Sequence, residues 1–300
     1  MSLRTVANQP YTDAMTVLIA GPTASGKSAL ALKLARERDG IIINADSMQV
    51  YAELRIITAR PSREDEAQAP HRLYGHIPAA VAYSVGRYVQ DVSAEIELAR
   101  ARNQTAIIVG GTGLYFKVLL EGLSPIPEIP AGVRSHWREE ANRHGAIALH
   151  GQLAVRNPVM AARLRPTDPQ RIVRALEVIE ATGRSLAEWQ DVPSVPIIET
   201  ARAERFVVAP PRETIVTRAD QRFDAMIEAG ALEEVERLVA LQLDPTLPAM
   251  RALGVAPLAA HLAGKVSLPE AIEASKRETR AYVKRQFTWL RRHMMTWNWL

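Results

Sequence analysis

The sequence has no cysteine, no long apolar run and no N-terminal signal segment. Without cysteine the chain can form neither a disulfide framework nor a thiolate-ligated zinc site. No apolar run is long enough to span a bilayer, and the N-terminus lacks the basic, apolar and small-residue order of a secretory signal. These absences predict a cytoplasmic protein with no membrane association.

The composition is that of a globular protein with an excess of positive charge near its C-terminus. The 300 residues are 47% apolar and 23% charged, with a net charge of +4, so one or two domains can bury a full core. Residues 270–300 hold seven basic and three acidic side chains, a difference of +4 that equals the whole excess. Aromatic residues are interleaved with these charges. This tail fits either a nucleic-acid surface or an amphipathic helix whose aromatic side chains are core.

Residues 21–28 have every fixed position of the phosphate-binding loop G-x-x-x-x-G-K-[ST]. They read Gly21, Pro22, Thr23, Ala24, Ser25, Gly26, Lys27 and Ser28. An apolar run precedes the loop and a helical pattern follows it, which is the strand–turn–helix context that the motif requires. Backbone N–H groups and the helix N-terminus would bind phosphate, Lys27 would reach the terminal oxygens, and the Ser28 hydroxyl would hold Mg²⁺. The chain is therefore predicted to bind a di- or triphosphate.

Alternating strands and helices around this loop predict an α/β fold with a parallel sheet of the P-loop NTPase type. We expect strands at about 15–20, 41–44, 105–109 and 205–209, with a helix at about 85–102. In such sheets ligands bind at the carboxyl ends of the strands. Residues that follow these strands should therefore converge on the Lys27 cleft.

A stretch without strand signals interrupts the α/β pattern. It begins after the proline-rich residues 123–130 and contains helical segments punctuated at His144-Gly145 and Thr182-Gly183. Asp168-Pro169 is a helix-start signal, and Arg171 and Arg174 lie on one face of the helix that follows. We predict a helical insertion domain at 126–200, within a core formed by 1–125 and 201–300 that ends in a basic C-terminal helix.

The carboxylate nearest to the loop is Asp46, which follows the second predicted strand. The strand at 105–109 ends in Gly-Gly-Thr, without the acidic residue that ATPases of this class use to hold Mg²⁺. A carboxylate beside a phosphate leaving group is suited to deprotonate an acceptor nucleophile. Small-molecule kinases use such an aspartate as well, and a helix N-cap is a further explanation, so these residues alone leave phosphoryl transfer open.

Several segments resemble those of the tRNA dimethylallyltransferases, in order from about residue 16 to 292. They are GPTASGKS (21–28), DSMQVY (46–51), TARP (58–61), GGTGLY (110–115), DPQRIVRALEV (168–178) and KRQFTWLR (284–291). The resemblance implies a bacterial-type enzyme that transfers the dimethylallyl group of dimethylallyl diphosphate to N6 of adenosine 37, just 3′ of the tRNA anticodon. It also implies that the loop binds diphosphate as the leaving group, and that the enzyme acts as a monomer on a tRNA anticodon stem-loop.

The same resemblance assigns roles to individual residues. Asp46 would be the general base, Thr112 would place its hydroxyl by the bridging oxygen of the leaving group, and Arg218 would stabilise the departing diphosphate with Lys27 and Mg²⁺ at Ser28. Extraction of the target base from the loop is what chemistry on a base requires. The implied tRNA contacts are Asp46, Ser47, Met48, Gln49, Thr112, Arg134, Gln170, Arg171, Ile172, Val173, Arg174, Arg251, Ala252, Leu253, Gly254, Val255 and Ala256.

Two other functions stay open beside this one. A kinase of the shikimate-kinase type has the same loop, an aspartate after the second strand and a glycine-rich strand end, but is usually shorter and has no helical insertion. A prenyltransferase acting on free adenine nucleotides is the nearer alternative.

Overall fold

The computed structural model describes residues 16–300. The strands are β1 (Thr16–Ala20), β2 (Gly40–Asn44), β3 (His71–Arg72), β4 (Thr105–Gly110), β5 (Ala203–Val207) and β6 (Asn298–Trp299). The helices are α1 (Lys27–Glu37), α2 (Arg63–Gln68), α3 (Val85–Ala101), α4 (Gly113–Glu121), α5 (Ala131–Arg156), α6 (Pro158–Arg163), α7 (Pro169–Thr182), α8 (Leu186–Gln190), α9 (Arg212–Glu228), α10 (Ala231–Ala240), α11 (Val255–Leu262) and α12 (Leu268–His293).

All six strands pair in parallel in one sheet, in the order β3-β2-β4-β1-β5-β6. Alternate residues of the central strands enter two cores, one on each face of the sheet. One face packs against α1, and the other against α3, α4 and the end of α12. The predicted α/β fold with a parallel sheet is confirmed.

Two compact units make up the described chain. One contains residues 16–120 and 197–300, and the other is Glu121–Pro196. The second unit is helical and has its own core around Trp137, Leu149 and Leu176. Gly145 has φ 77° and ψ 169°, so α5 is two helical segments joined at a kink. The predicted break at His144-Gly145 is therefore confirmed. Residues 1–15 of the predicted first domain lie outside the described residues.

The sequence predicted the starts of helices more accurately than the outer strands of the sheet. The Asp168 side chain accepts a hydrogen bond from the Arg171 N–H, and Ser267 and Glu270 form the reciprocal cap of α12. By contrast, β5 begins two residues before its predicted start, and the two-residue strands β3 and β6 were not predicted. After Ala203, the strand β5 continues with the charged residues Glu204 and Arg205, which are only half-buried, so the pattern of a buried strand is weak there.

Many of the basic and aromatic residues of the C-terminal tail make contacts within the protein. Phe287 and Trp297 are buried, and Trp289 packs over Gly113. Lys276 and Arg280 pair with acidic residues of α9 at 2.7 and 2.6 Å. Much of the tail is therefore core and helix–helix contact. Within 16–300, no helix combines the length and apolar character needed to cross a bilayer.

Candidate functional site

The phosphate-binding loop connects β1 to α1 in a conformation suited to an anion. Gly26 has φ 95°, and Ala24 has φ 61°. A side chain at Gly21 would collide with the Val208 carbonyl oxygen, since its Cβ would lie 2.6 Å away. The N–H groups of Lys27 and Ser28 open α1, where no intrahelical partner exists. The loop therefore presents N–H donors at the positive end of a helix, which is an anion site.

Lys27 is a buried cation that faces both a negative and a positive neighbour. Its Nζ donates to the Pro22 carbonyl oxygen at 3.1 Å. Burial lowers the pKa of Lys27 to about 8; the Asp46 carboxylate opposes this shift and the Arg222 guanidinium adds to it. Removal from water penalises the ammonium more than Asp46 stabilises it. A bound polyanion would supply the missing negative charge.

Asp46 is held at the end of β2 by a fully buried asparagine. The Asn44 side chain accepts from the Asp46 N–H at 2.8 Å and donates to the Asp46 carbonyl oxygen at 2.9 Å. The Asp46 Oδ1 atom accepts from the Met48 N–H at 3.0 Å. This local turn fixes the main chain and leaves Oδ2 without a partner among residues 16–300.

Gly111 lies between the Asp46 carboxylate and the phosphate loop. A Cβ built there would be 3.5 Å from both the Asp46 Oδ2 atom and the Gly21 carbonyl oxygen. Next to it, the Thr112 hydroxyl oxygen accepts from the Ser47 N–H at 2.9 Å and lies 3.3 Å from the Ser47 hydroxyl. The structure therefore brings Asp46, Thr112 and the loop together at adjacent strand ends, as the sequence predicts.

Arg222, rather than Arg218, contacts the loop. Arg218 is exposed on α9, whereas Arg222 lies one turn further along and donates to the Thr23 hydroxyl oxygen. Burial lowers the pKa of Arg222, and the Asp46 carboxylate partly opposes that shift. The predicted role of Arg218 toward diphosphate stays a prediction, and Arg222 is the arginine of α9 whose contact with the loop the structure describes. Two arginines four apart on a helix share a face, so spacing alone could not distinguish them.

Gln286 of α12 is a further contact that sequence reasoning missed. Its Oε1 accepts from the Thr23 N–H and its Nε2 donates to the Gly111 carbonyl oxygen, both at 3.0 Å. The side chain is buried. It joins the loop after β1 to the end of β4. The KRQFTWLR segment carries part of the family resemblance, and the interpretation of residues 270–300 rests on their basic and aromatic side chains, so neither argument assigns a role to the neutral glutamine.

Three tyrosine side chains surround Asp46 closely enough to sense its charge. Burial, with the Asp46 carboxylate as the next cause, raises the pKa of Tyr74, Tyr115 and Tyr282. The Tyr115 ring stacks on Tyr88, with ring centroids 3.6 Å apart. All three phenols therefore lie within electrostatic range of the Asp46 carboxylate and are partly or fully removed from water.

Gln49 has its amide group oriented by the main chain. The Nε2 atom donates to the carbonyl oxygens of Thr58 and Ala59 at 2.8 and 2.9 Å. Its Oε1 atom accepts no hydrogen bond within the described chain. Because that oxygen is also not among the buried unpartnered atoms, it is accessible to a ligand.

Residues 251–256 form one wall of a cavity between α11 and α12. The cavity has a volume of about 740 Å³ and is also lined by Lys265, Glu278 and Arg285. Arg251 and Ala256 are exposed, whereas Ala252 and Val255 are buried, at 4% and 1% of their surface. The exposed members of this segment are the ones available to a partner.

The remaining predicted RNA contacts lie in the helical unit. Arg134 is half-buried on α5, and Gln170–Arg174 occupy the first turns of α7. Arg171 is exposed and Arg174 is half-buried; each pairs with a neighbouring carboxylate, Asp168 at 3.5 Å and Glu177 at 3.4 Å. Ile172 is fully buried in the helical core, so its side chain serves packing. The roles of these residues toward RNA stay predictions.

The donor set at the loop fits Mg²⁺ bound together with phosphate. Residues 16–300 contain no cluster of three or more His, Asp or Glu side chains that could hold a metal by itself. Mg²⁺ keeps several waters and is commonly bound through one or two protein ligands plus substrate phosphates. The exposed Ser28 hydroxyl, at the start of α1, is a suitable single ligand.

Comparison with known proteins gives a consistent set of relatives. Residues 49–293 match the family model described as IPP transferase. The tRNA dimethylallyltransferase of Chelativorans sp. is 53% identical over 94% of this chain and 96% of its own length. That of Nitrobacter hamburgensis is 54% identical over 94% of this chain and 89% of its own length.

Solved structures agree with the sequence relatives. The tRNA isopentenylpyrophosphate transferase of Bacillus halodurans is 30% identical, with a TM-score of 0.68 over 96% of this chain and 89% of its own. A eukaryotic dimethylallyltransferase acting on tRNA is 27% identical, with a TM-score of 0.79 over 92% of this chain and 69% of its own.

Proposed function

Because this chain belongs to the IPP transferase family, we propose that it transfers the dimethylallyl group of dimethylallyl diphosphate to N6 of adenosine 37 in tRNA. The products are N6-isopentenyladenosine and diphosphate. The observation that carries this proposal is the position of Gly111, whose Cβ would lie equally close to the Asp46 carboxylate and to the phosphate loop. The Asp46 carboxylate and the phosphate loop would each lie 3.5 Å from that point. This arrangement suits a reaction in which Asp46 acts as base while diphosphate leaves an allylic carbon held between the two.

The loop side of the cleft stabilises the departing diphosphate. The N–H groups at the start of α1 and the Lys27 ammonium meet charge that grows as the C1–O bond breaks. Arg222 approaches the same loop through Thr23 and adds a second cation. We assign to Arg222 the role that the sequence had suggested for Arg218.

The opposite side of the cleft accepts the proton. The N6 nitrogen attacks C1 of the dimethylallyl group, the C1–O bond breaks, and the Asp46 carboxylate takes one N6 proton. Thr112, held against Ser47, places its hydroxyl beside the bridging oxygen of the leaving group. The tyrosine rings exclude water, which would otherwise compete for an allylic carbon of cationic character.

Mg²⁺ is the cofactor that this site would use. The Ser28 hydroxyl would hold it beside the diphosphate, and when bound it would neutralise part of the leaving-group charge. We further propose that the enzyme works as a cytoplasmic monomer, as its resemblance to bacterial tRNA-modifying enzymes implies.

The RNA side of the proposal assigns a contact to several of the predicted tRNA-binding residues. Ser47 and Gln49 would contact the flipped adenine, Arg171 and Arg174 the anticodon stem-loop, and Arg134 and the exposed residues of 251–256 further parts of the tRNA. Modification of a base requires its removal from the stack, and single-stranded loops allow this at low cost.

Mass spectrometry of one tRNA before and after incubation with enzyme and dimethylallyl diphosphate tests the function. We expect a mass increase of one dimethylallyl group on adenosine 37. Label transfer from γ-labelled ATP to a small acceptor, without change in the tRNA, would establish a kinase instead. Faster transfer to AMP than to an anticodon stem-loop would favour the nucleotide prenyltransferase.

A further inference from the structure

A buried carboxylate of α10 holds the turn that orients Gln49. Glu234 is 5% exposed, and its carboxylate oxygens accept from the N–H groups of Arg55, Ile56 and Ile57, at distances between 2.9 and 3.0 Å. Three consecutive N–H groups converging on one carboxylate fix the conformation of that segment.

The same turn carries the two carbonyl groups that bind the Gln49 amide. The Ala59 N–H donates to the Ile56 carbonyl oxygen at 2.9 Å, and the Arg60 N–H donates to the Arg55 carbonyl oxygen at 3.0 Å. Residues 55–60 are thus one hydrogen-bonded unit whose outer carbonyls, those of Thr58 and Ala59, face Gln49. Glu234 therefore acts on Gln49 through the main chain, without touching it.

A primary amide has two N–H donors and one carbonyl acceptor. With both donors committed to Thr58 and Ala59, Gln49 offers a ligand only the Oε1 acceptor. Adenine carries an amine at position 6, which donates, whereas guanine carries a carbonyl oxygen there, which accepts. A side chain that can only accept hydrogen bonds pairs with the adenine amine and is repelled by the guanine carbonyl oxygen.

We propose that Glu234 is a positioning residue which, by fixing the 55–60 turn, restricts Gln49 to accepting a hydrogen bond and so selects adenine over guanine at the target position. The proposal rests on the proposed function, in which the 46–49 segment meets the flipped base. One N6 hydrogen would go to Asp46 during transfer, and the other, which the product keeps, would bind Gln49 Oε1 throughout.

Binding of anticodon stem-loops that differ only at position 37 tests the proposal. Affinity is measured rather than turnover, because guanine has no N6 amine. We expect the wild type to bind the A37 stem-loop roughly tenfold tighter than the G37 stem-loop. Gln49→Met, which keeps the length but removes the acceptor, should reduce this preference roughly threefold or more, because Asp46 then remains as the acceptor for N6.

Glu234→Gln should reduce the same preference, because the carboxamide can no longer accept from all three N–H groups and the turn loosens. The matched control is Glu233→Gln, an exposed neighbour on the same helix, which should keep the wild-type ratio. A structural role alone would weaken binding of A37 and G37 equally. If Glu234→Gln does not fold, Glu234→Asp takes its place, because the shorter side chain keeps the charge but moves the carboxylate away from the three N–H groups.

An equal affinity of the wild type for both stem-loops would overturn the inference, and so would a full preference in Gln49→Met or in folded Glu234→Gln. Dimethylallyl transfer to the A37 stem-loop is measured on the same preparations. If the wild type transfers the dimethylallyl group but binds the A37 and G37 stem-loops equally well, only the inference about Glu234 is contradicted. If the wild type transfers no dimethylallyl group, the proposed function is contradicted.

Discussion

The Arg222 guanidinium donates a hydrogen bond to the Thr23 hydroxyl oxygen, which joins α9 to the phosphate loop across 199 residues of sequence. Arg222 also lies close enough to Asp46 for that carboxylate to stabilise its charge. This half-buried cation therefore contacts the loop and also lies near the proposed base.

Removal of Arg222 should weaken the handling of diphosphate. We expect Arg222→Ala to raise KM for dimethylallyl diphosphate by roughly 10- to 100-fold, because a charge-assisted contact is lost from a buried site. Arg218→Ala is the matched control on the same helix and should stay within about twofold of the wild type. Steady-state kinetics at saturating tRNA make the comparison. A larger effect at Arg218 would reverse our assignment.

Asp46→Asn should remove the general base while keeping the shape of the site. We expect kcat to fall by about 10²- to 10⁴-fold, with stem-loop affinity little changed, because the amide cannot take the N6 proton. Asp39→Asn, at an exposed turn with φ 46° that asparagine tolerates, is the control. Single-turnover assays and equilibrium binding measure the two quantities. Loss of stem-loop binding in Asp46→Asn would contradict the general-base role.

Diphosphate binding should depend on pH through Lys27. Its pKa of about 8 in the folded chain means that the ammonium is lost as pH rises through 8. We therefore expect KM for dimethylallyl diphosphate to be level below about pH 8 and to rise tenfold per unit above it. Lys27→Arg, which stays protonated, should abolish this rise even if its KM is higher throughout. A KM that is level from pH 7 to 9.5 in the wild type would show that Lys27 does not titrate there.

The same buried ammonium should destabilise the folded protein. Because the pKa of Lys27 is depressed from 10.5 to about 8, the unfolded chain binds the proton more tightly. This cost is fully present below pH 8 and disappears as pH rises through 10.5. Lys27→Met should therefore raise the free energy of unfolding at pH 7 by about 1–3 kcal/mol while abolishing turnover. Urea denaturation at pH 7 and 9.5 measures the difference, which should be smaller at the higher pH.

Charge reversal on α7 should weaken tRNA binding. Arg171→Glu with Arg174→Glu removes two cations, so we expect the slope of log affinity against log salt to fall by roughly 1.4 for a single-stranded contact. The Arg171–Asp168 pair is exposed and contributes little stability. Glu177 is buried, so removal of Arg174 leaves a buried carboxylate without its cation, and thermal unfolding of the double variant is measured beside binding. The control is Arg138→Glu with Arg143→Glu, an equal change of charge at exposed positions of α5. If both double variants lost the same amount of tRNA affinity, the effect would come from net charge and not from the position of Arg171 and Arg174.

Local patterns in the sequence were sufficient for the central strands of the sheet, the loop, and the ends of helices such as α3 and α7. The motif at 21–28 has one favourable conformation, because its glycines and the following helix set the direction of its N–H groups. Asp168 and Ser267 are caps that act on residues three positions away, so their signals are local as well. The α/β pattern by itself predicts that Asp46 and Thr112 lie at one edge of the sheet.

Long-range partners were decided only by the tertiary structure. Arg222, Gln286 and Glu234 reach the loop, Gly111 and the 55–57 turn from positions 175 to 263 residues away. The chain around each of them has the pattern of an ordinary amphipathic helix, which says which face is buried but not what that face meets. Helix periodicity therefore indicated which face of each helix is apolar, and only packing in the folded chain selected the polar residues that make these contacts and their partners.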